Sequence, residues 1–306
     1  MLHKIFNIVI VASTLRIATP ILLASLGGIM AERSGVNNIG LEGMMLLGAF
    51  AAVIGSSLGG PWLGLLFGLL AGLCTGLLHG FISITIKANQ IISGTAINIL
   101  AVGLPNILIP VIWPGHYAIT PVVKQLPTIA LSSVPIIGSL FKQFNIIIAL
   151  TVLLVPFLHT VLYYTRFGLR LRSLGEHPRA ADTVGIPVQR FRYVAVALSG
   201  TLAGLAGTYL SISYQAQFSI AMTAGRGFIG LAAMIFGRWK PFGAFFACIL
   251  FGFAEAFQAA AQSAGVPIPP DLFLAFPYVL TLIALVSIAG RHTGSPAAAG
   301  KPYIPE

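Results

Sequence analysis

Uninterrupted apolar runs of about 20 residues constrain this chain more than any other feature of its sequence. The 306 residues are 57% hydrophobic and only 8% charged. A helix of about 20 apolar residues crosses the roughly 30 Å hydrocarbon core of a bilayer, whereas about 25% of the residues in a soluble domain are charged. The sequence therefore predicts an all-α, polytopic membrane protein.

The apolar runs predict roughly nine transmembrane or re-entrant helices, within a range of about eight to ten. Residues 3–14 are short for a span and are expected to lie along the membrane interface. The predicted segments are 15–32, 44–58, 62–86, 91–112 with a break or kink at Pro105 and an end near Pro110, 145–164, 193–213, the short 223–237, 241–262 and 271–289. We assign residues 1–290 to a single transmembrane domain. The Pro/Ala/Gly-rich tail, residues 291–306, is expected to be disordered.

Residues 165–192 form the longest polar run, which we call the basic segment. It contains six arginines, Arg166, Arg170, Arg172, Arg179, Arg190 and Arg192, against Glu176 and Asp182. Positively charged loops next to spans are retained in the cytoplasm. Counting spans from this anchor predicts a multi-pass membrane protein with an external N-terminus and a cytoplasmic C-terminus.

A small helix is predicted inside the basic segment. Pro178 suits a first helical turn, and Gly185 followed by Pro187 ends it. Ala180, Ala181 and Val184 can form one apolar side, with Arg179, Asp182 and Thr183 opposite. A short, half-apolar helix of this kind can fill a groove in a partner protein. The alternative is a solvated loop whose arginines only fix the topology.

Two segments of the sequence resemble each other. Residues 39–45 (IGLEGMM) and 229–235 (IGLAAMI) are each followed by a turn with a proline and then by a Gly-rich apolar span. In the predicted topology the two copies run in opposite directions, as in transporters built from inverted repeats. The alternative is chance, since Gly, Leu, Ile and Met recur freely in membrane helices.

Polar side chains at membrane depth are costly and tend to be functional. The candidates are Asn37, Asn38, Glu42, Asn98, Asn106, Arg226 and Glu255. Amides both donate and accept hydrogen bonds and therefore suit a neutral polar solute. The alternative for the asparagines is hydrogen bonding between helices, and for Glu42 it is helix capping. Arg226 is a conceivable partner of Glu255.

The sequence contains no motif for catalysis, nucleotide hydrolysis or metal binding. It has no GxxxxGK[ST] phosphate loop and no HExxH, and Cys74 and Cys248 stand alone. The net charge of +10 lies in loops beside spans, where membrane topology already accounts for it. We therefore reject nucleic acid as a partner. We predict a non-enzymatic chain with no cofactor of its own, so that any ATP-driven step belongs to a separate ATPase that contacts the small helix.

Four segments carry a resemblance to a known family: residues 32–50 (ERSGVNNIGLEGMMLLGAF), 88–104 (ANQIISGTAINILAVGL), 171–186 (LRSLGEHPRAADTVGI) and 225–245 (GRGFIGLAAMIFGRWKPFGAF). They resemble, in order, the permease subunits of bacterial ABC importers for branched-chain amino acids, ribose-type sugars and nucleosides. The first is most similar to the nucleoside (guanosine-type) and simple-sugar branch. Ribose-type relatives have one further span before the first one here, which fits nine segments and an external N-terminus.

The resemblance implies a type II ABC importer fold and a role for two groups of residues. The segment that docks on the ATPase corresponds to Gly175, Glu176, His177, Pro178, Arg179, Ala180, Ala181, Asp182, Gly185 and Ile186. The segments SGVNNIGLEG, with Asn37, Asn38 and Glu42, and GRGFIGLAA, with Arg226, correspond to the substrate pathway. We add Asn98 to the predicted pathway because it is a polar side chain in an apolar span. The implied partners are an ATPase that binds ATP and Mg, a second and non-identical permease, and an external binding protein or lipoprotein.

The leading hypothesis is therefore a permease subunit that translocates a nucleoside or similar neutral solute. The alternatives are a simple sugar or branched-chain amino acid as cargo, or a stand-alone secondary transporter driven by an ion gradient.

Overall fold

The computed structural model describes residues 8–128, 144–263, 279 and 294–304, and in them regular structure is helical apart from isolated bridges. The helices are α1 (Ile8–Arg33), α2 (Leu41–Gly59), α3 (Pro61–Gly80), α4 (Gln90–Ile112), α5 (Ile146–Tyr164), α6 (Arg166–Glu176), α7 (Pro178–Thr183), α8 (Val188–Tyr209), α9 (Arg226–Phe236) and α10 (Pro241–Ser263). Two π-helical turns, Phe81–Thr85 and Leu210–Gln215, extend α3 and α8.

Seven of the described helices are long and apolar enough to cross a membrane, namely α1, α2, α3, α4, α5, α8 and α10. The short predicted segment is α9, whose 11 residues give a rod of about 16 Å. The polytopic, all-α prediction is confirmed. The ninth predicted segment, 271–289, lies outside the described residues.

Two predicted boundaries were wrong. Residues 3–14 do not form a separate interfacial segment where they are described, because α1 is continuous from Ile8. The hydroxyl of Thr14 donates to the Ile10 carbonyl at 2.7 Å, so this polar residue does not interrupt the helix. The break at Pro105 is also absent, because α4 continues through Pro105 and Pro110 to Ile112. Neighbouring helices and local adjustments let membrane helices tolerate proline.

Glycines bring α2, α3 and α8 into backbone contact. A Cβ on Gly204 of α8 would lie 2.5 Å from the Gly68 carbonyl and 2.8 Å from Gly72 Cα, both on α3. Small residues allow this approach, and dispersion and packing then hold the helices together in lipid. The predicted close approach at Gly200 and Gly204 is confirmed. Its counterpart is a four-residue repeat on α3, Gly64, Gly68, Gly72 and Gly76.

The contacts define two ends of the bundle. At the end that we call distal, Gln125 contacts the Ser213 carbonyl and Ser56, near the end of α2, donates to the Lys124 carbonyl. At the opposite, basic end, Arg33 of α1 donates to the carbonyls of Trp239 and Arg238, just beyond α9. α2 therefore ends at the distal end, and α9 ends at the basic end.

The C-terminal residues 294–304 lie at the basic end. The Ala298 amide donates to the Gly175 carbonyl at 2.8 Å, and Ala298 is buried. Composition predicted disorder for 291–306, whereas the described part packs against α6. Small residues make this possible, because a Cβ on Gly175 would meet Pro296 at 3.2 Å.

Candidate functional site

Two interrupted helices begin next to each other inside the bundle. Glu42, in the first turn of α2, accepts hydrogen bonds from the amides of Gly225 at 2.8 Å and Gly227 at 2.7 Å, where α9 begins. The first amides of a helix have no partner in the helix and carry positive partial charge, so a carboxylate stabilises them. Glu42 therefore caps α9 from a neighbouring helix.

We call this meeting point the helix junction and define it as residues 37–43, Asn98 and 225–227. Because α9 is about 16 Å long and ends at the basic end, its first residue lies about halfway across a 30 Å hydrocarbon core. From the junction α2 runs to the distal end and α9 to the basic end. The predicted opposite directions are confirmed; an ancestral repeat stays a prediction.

Asn98 fixes the start of α2. Its Oδ1 accepts from the Gly43 amide at 2.8 Å, and its Nδ2 donates to the Ile39 carbonyl at 3.1 Å. A Cβ on Gly43 would lie 2.8 Å from Asn98 Cα, so glycine is required for this approach. The Asn98 side chain thus provides hydrogen-bond partners for the Gly43 amide and the Ile39 carbonyl, which lack helical partners because the chain is not helical just before α2.

The segment before α2 is held through both its side chains and its backbone. Asn38 is fully buried, and its Nδ2 donates to Ser199 Oγ at 2.9 Å. The Asn37 amide donates to Gln90 Oε1 at 2.7 Å, and its carbonyl lies 2.9 Å from His79 Nε2. The segment is therefore tied to α3, α4 and α8.

A charged pair lies beside the junction. Arg226 Nη2 lies 2.6 Å from Glu255 Oε1, and their side chains are 16% and 35% exposed. Opposite charges at membrane depth tend to pair in this way. The predicted partnership of Arg226 with Glu255 is confirmed, and it links the first turn of α9 to α10.

The structure brings most of the candidate polar residues together at one place. Asn37, Asn38, Glu42, Asn98 and Arg226 all lie in the junction, with Glu255 at its edge. Asn106 lies two turns further along α4, is exposed and donates to the Val102 carbonyl of its own helix at 2.7 Å. Sequence reasoning missed Gln90 and the fully buried His79, whose signal was a polar side chain inside an apolar run.

The junction has the chemistry of a polar binding or gating surface. It offers amides, one ion pair and the capped first turns of two helices, and no group of three metal-ligating side chains occurs among the residues described. Backbone that leaves the helix at membrane depth is tolerated only where protein or an aqueous cavity satisfies it. Such interrupted helices are typical of transport pathways.

The predicted small helix is present at the basic end as α7. It begins at Pro178, and Gly185, with φ of +80°, accompanies its end. Ala181 is buried in a cluster with Leu174 and Val188. The other two residues of the predicted apolar side, Ala180 and Val184, are exposed, and 74% of the Val184 surface is accessible.

α7 projects between two grooves. One, of about 670 Å³, is lined by Leu169 and Arg170 of α6 together with Ala180 and Val184. The other, of about 590 Å³, lies between Arg179 and the C-terminal residues. A short helix with exposed apolar residues and a groove beside it is a surface that can interlock with another protein.

The basic segment contains more structure than predicted. The amphipathic helix α6 precedes α7, and α8 begins at Val188 rather than at Tyr193. Arg192 was interpreted as a loop arginine, yet its side chain is only 2% exposed. Its Nε donates to the Ser34 carbonyl at 3.1 Å, because residue 34 is left without a helical partner where α1 ends.

The fold and the junction together define a transport subunit: a bundle of helices long enough to span a membrane, in which α2 and the short α9 begin side by side around polar groups, with a projecting helix at one end. The comparison with known proteins specifies the class. Residues 10–285 match the family described as branched-chain amino acid transport system / permease component. The chain belongs to this permease family, as the four motifs of the sequence predicted.

Individual relatives cover most of the chain. It is 39% identical to the guanosine ABC transporter permease protein NupQ of Bacillus subtilis, over 97% of this chain and 96% of that protein. It is 34% identical to a putative glucose ABC transporter permease protein of Haloferax volcanii, over 92% of each chain. A second Bacillus subtilis protein, the guanosine ABC transporter permease protein NupP, is 28% identical over 79% of this chain and 71% of its own length. No solved structure gives a significant match.

Proposed function

We propose that this chain is the membrane-spanning subunit of an ABC importer that translocates a nucleoside or a similar neutral solute across a bacterial cytoplasmic membrane. The observation that carries the proposal is the coexistence of a polar mid-membrane junction with the projecting helix α7. The junction supplies a polar route through the bundle, and α7 supplies a contact surface for a separate ATPase subunit. The guanosine relative, which matches nearly the whole chain, supports the choice of cargo.

The first step of the mechanism is docking of an ATPase subunit on α7. The docking segment is Gly175, Glu176, His177, Pro178, Arg179, Ala180, Ala181, Asp182, Gly185 and Ile186. Exposed Val184 and the groove that α7 forms with Leu169 and Arg170 of α6 support this role. ATP and Mg bind to the ATPase, and this chain responds to the movement of α7.

The second step is passage of the solute at the helix junction. Asn37, Glu42, Asn98 and Arg226 are each partly exposed, whereas Asn38 is buried behind them. Amides can recognise a neutral solute through paired donors and acceptors. From the junction, α2 runs to the distal end and α9 runs to the basic end. This arrangement supports alternating access, because a movement of α2 alters the junction from the distal end and a movement of α9 alters it from the basic end.

The orientation follows from charge. The basic segment between α5 and α8 is placed in the cytoplasm by the positive-inside rule. The C-terminal residues then lie in the cytoplasm as well, since they contact α6, and the N-terminus is external. An external binding protein or lipoprotein would deliver solute at the distal end.

A second, non-identical permease would complete the pathway. The two Bacillus subtilis relatives are both guanosine permease proteins, and this chain resembles one much more than the other. We infer a heterodimer of this chain with a more distant member of the family.

Two alternatives concern the cargo and the energy source. The glucose permease relative supports a simple sugar as alternative cargo, and the family description supports a branched-chain amino acid. The Arg226–Glu255 pair at membrane depth favours the other alternative, a stand-alone secondary transporter, because ion-coupled carriers use such charges.

Vesicles separate these possibilities. Vesicles that contain this chain, its partner permease and the ATPase should take up labelled guanosine only with internal ATP and the loaded external receptor. Uptake by this chain alone under a proton or sodium gradient would refute the ABC assignment. Titration of the receptor with nucleosides, glucose and leucine identifies the cargo class, and tight binding of leucine alone would refute the nucleoside proposal.

A further inference from the structure

The C-terminal residues 294–304 contact the proposed docking segment at three points. The Ala298 amide donates to the Gly175 carbonyl at 2.8 Å, and the Ala297 amide donates to Glu176 Oε2 at 3.3 Å. The Tyr303 hydroxyl donates to Asp182 Oδ2 at 2.5 Å. The tail is thus joined to the end of α6 and to α7 itself.

The same residues also contact the segment that leads to the helix junction. Arg192 Nη1 donates to the Lys301 carbonyl at 3.4 Å, and its guanidinium lies 5.9 Å from the centre of the Tyr303 ring. Arg192 also holds the Ser34 carbonyl at 3.1 Å. A Cβ on Gly300 would lie 3.0 Å from Asn37 Nδ2, so the tail backbone passes directly beside the junction.

α7 has few other attachments to the junction. Its buried contact is Ala181 in the cluster with Leu174 and Val188, while Asp182, Thr183 and Val184 are exposed. A movement of α7 can therefore reach residues 34–40 by three routes: through α8, through the end of α6, where Gly175 packs against the Arg33 carbonyl, or through the tail that bridges Asp182 and Asn37.

We propose that residues 294–304 form a strut that transmits the movement of α7 to the helix junction, with Tyr303 as a positioning residue that acts through Asp182. This inference rests on the proposed docking of the ATPase at α7. The strut moves with α7 as one body, because its hydrogen bonds join it to both α6 and α7. It determines how efficiently ATP hydrolysis is converted into uptake, and it makes no contribution to ATPase binding.

Three measurements on the reconstituted transporter test the strut: ATPase association, receptor-stimulated ATP hydrolysis, and uptake per ATP hydrolysed. Tyr303→Phe removes the hydroxyl and keeps the ring over Arg192. We expect uptake per ATP to fall about 5-fold, which corresponds to the roughly 1 kcal/mol of a net hydrogen bond, with association unchanged. Tyr164→Phe is the matched control, since Tyr164 is 78% exposed at the end of α5, and it should behave as wild type.

A deletion of residues 294–306 should lower uptake per ATP at least 10-fold, again with association intact. In a double-mutant cycle, Asp182→Ala combined with Tyr303→Phe should be no worse than the more affected single variant, because both remove the same contact. Wild-type coupling in the deletion variant would overturn the strut. Loss of ATPase association in the deletion variant would also overturn it, since the tail would then belong to the docking surface.

Failure of the underlying proposal gives a different result. If α7 is not the docking site, replacement of Arg179 and Gly185 leaves association intact, whatever the tail variants do. If α7 docks the ATPase and the strut is absent, those replacements abolish association while Tyr303→Phe and the deletion leave uptake per ATP at the wild-type value.

Discussion

The glycine-packed bundle and the basic end are held together by different kinds of contact. In the bundle, α2, α3 and α8 touch backbone to backbone, and a Cβ on Gly204 would lie within 2.8 Å of two α3 glycines. At the basic end, α7 is held by one buried alanine and by hydrogen bonds of exposed side chains such as Asp182. Contacts of the first kind admit no adjustment, whereas those of the second kind let α7 and the tail shift together relative to the bundle. In the proposed mechanism, the rigid part therefore guides the solute, and the loosely held part receives the movement of the ATPase.

The largest expected effect comes from breaking the bundle. Gly204→Leu places a branched side chain where the backbone of α3 already lies, so the helices cannot pack. Overpacking costs about 1–3 kcal/mol even where side chains can adjust, and here the obstacle is backbone. We expect no folded protein by size-exclusion chromatography in detergent. Gly103→Leu is the control, because a Cβ on Gly103 meets nothing within 4 Å; equal yields of both variants would contradict the comparison.

The next largest effect is expected at the basic end, where substitutions in and beside α7 should abolish ATPase association and leave the fold intact. Arg179→Ala combined with Gly185→Ala removes an exposed cation and forces alanine into a positive φ of +80°, a conformation that costs L-residues about 1–2 kcal/mol. We expect loss of ATPase association in a pull-down, with normal insertion. Retained association would contradict docking at α7. Arg190→Ala, an exposed arginine outside α7, is the matched control.

A smaller effect is expected at the junction, which lies between the two regions. Glu42→Ala removes the cap of α9, and hydrogen bonds to charged groups contribute about 1.5–3 kcal/mol. We expect a lower melting temperature and weaker uptake in the reconstituted transporter. Glu42→Gln keeps one oxygen acceptor without the charge and should fall between alanine and wild type. An alanine variant as stable as wild type would exclude the capping role.

The smallest effect is expected where a polar residue lies on a membrane helix outside both regions. Asn106→Ala loses only a bond of 2.7 Å to the carbonyl of its own helix, at an exposed position of α4. We expect uptake and melting temperature within error of wild type. A clear loss of uptake would extend the functional surface along α4, away from the junction.

Much of the fold follows from local sequence. Apolar runs indicated the spans, the four-residue spacing of Gly200 and Gly204 indicated close packing, and Pro178 and Gly185 marked α7. Each of these signals acts within one helix, so a single stretch of sequence carries it. Boundaries failed where the signal was ambiguous, as at Pro105, because neighbouring helices and not the local sequence decide whether a proline ends a membrane helix.

What the sequence by itself determined is that the chain resides in a membrane, where its apolar helices lie, and which rare polar residues merit attention; the cost of polar groups in hydrocarbon dictates all three. Only the tertiary structure decided how those residues combine. Glu42 and Gly225 are far apart in the chain, as are Arg192 and Ser34, and their hydrogen bonds exist because packing brings distant backbone groups together. The same is true of residues 294–304. Their composition favours disorder in isolation, whereas their contacts with Gly175 and Asp182 order them against the rest of the fold.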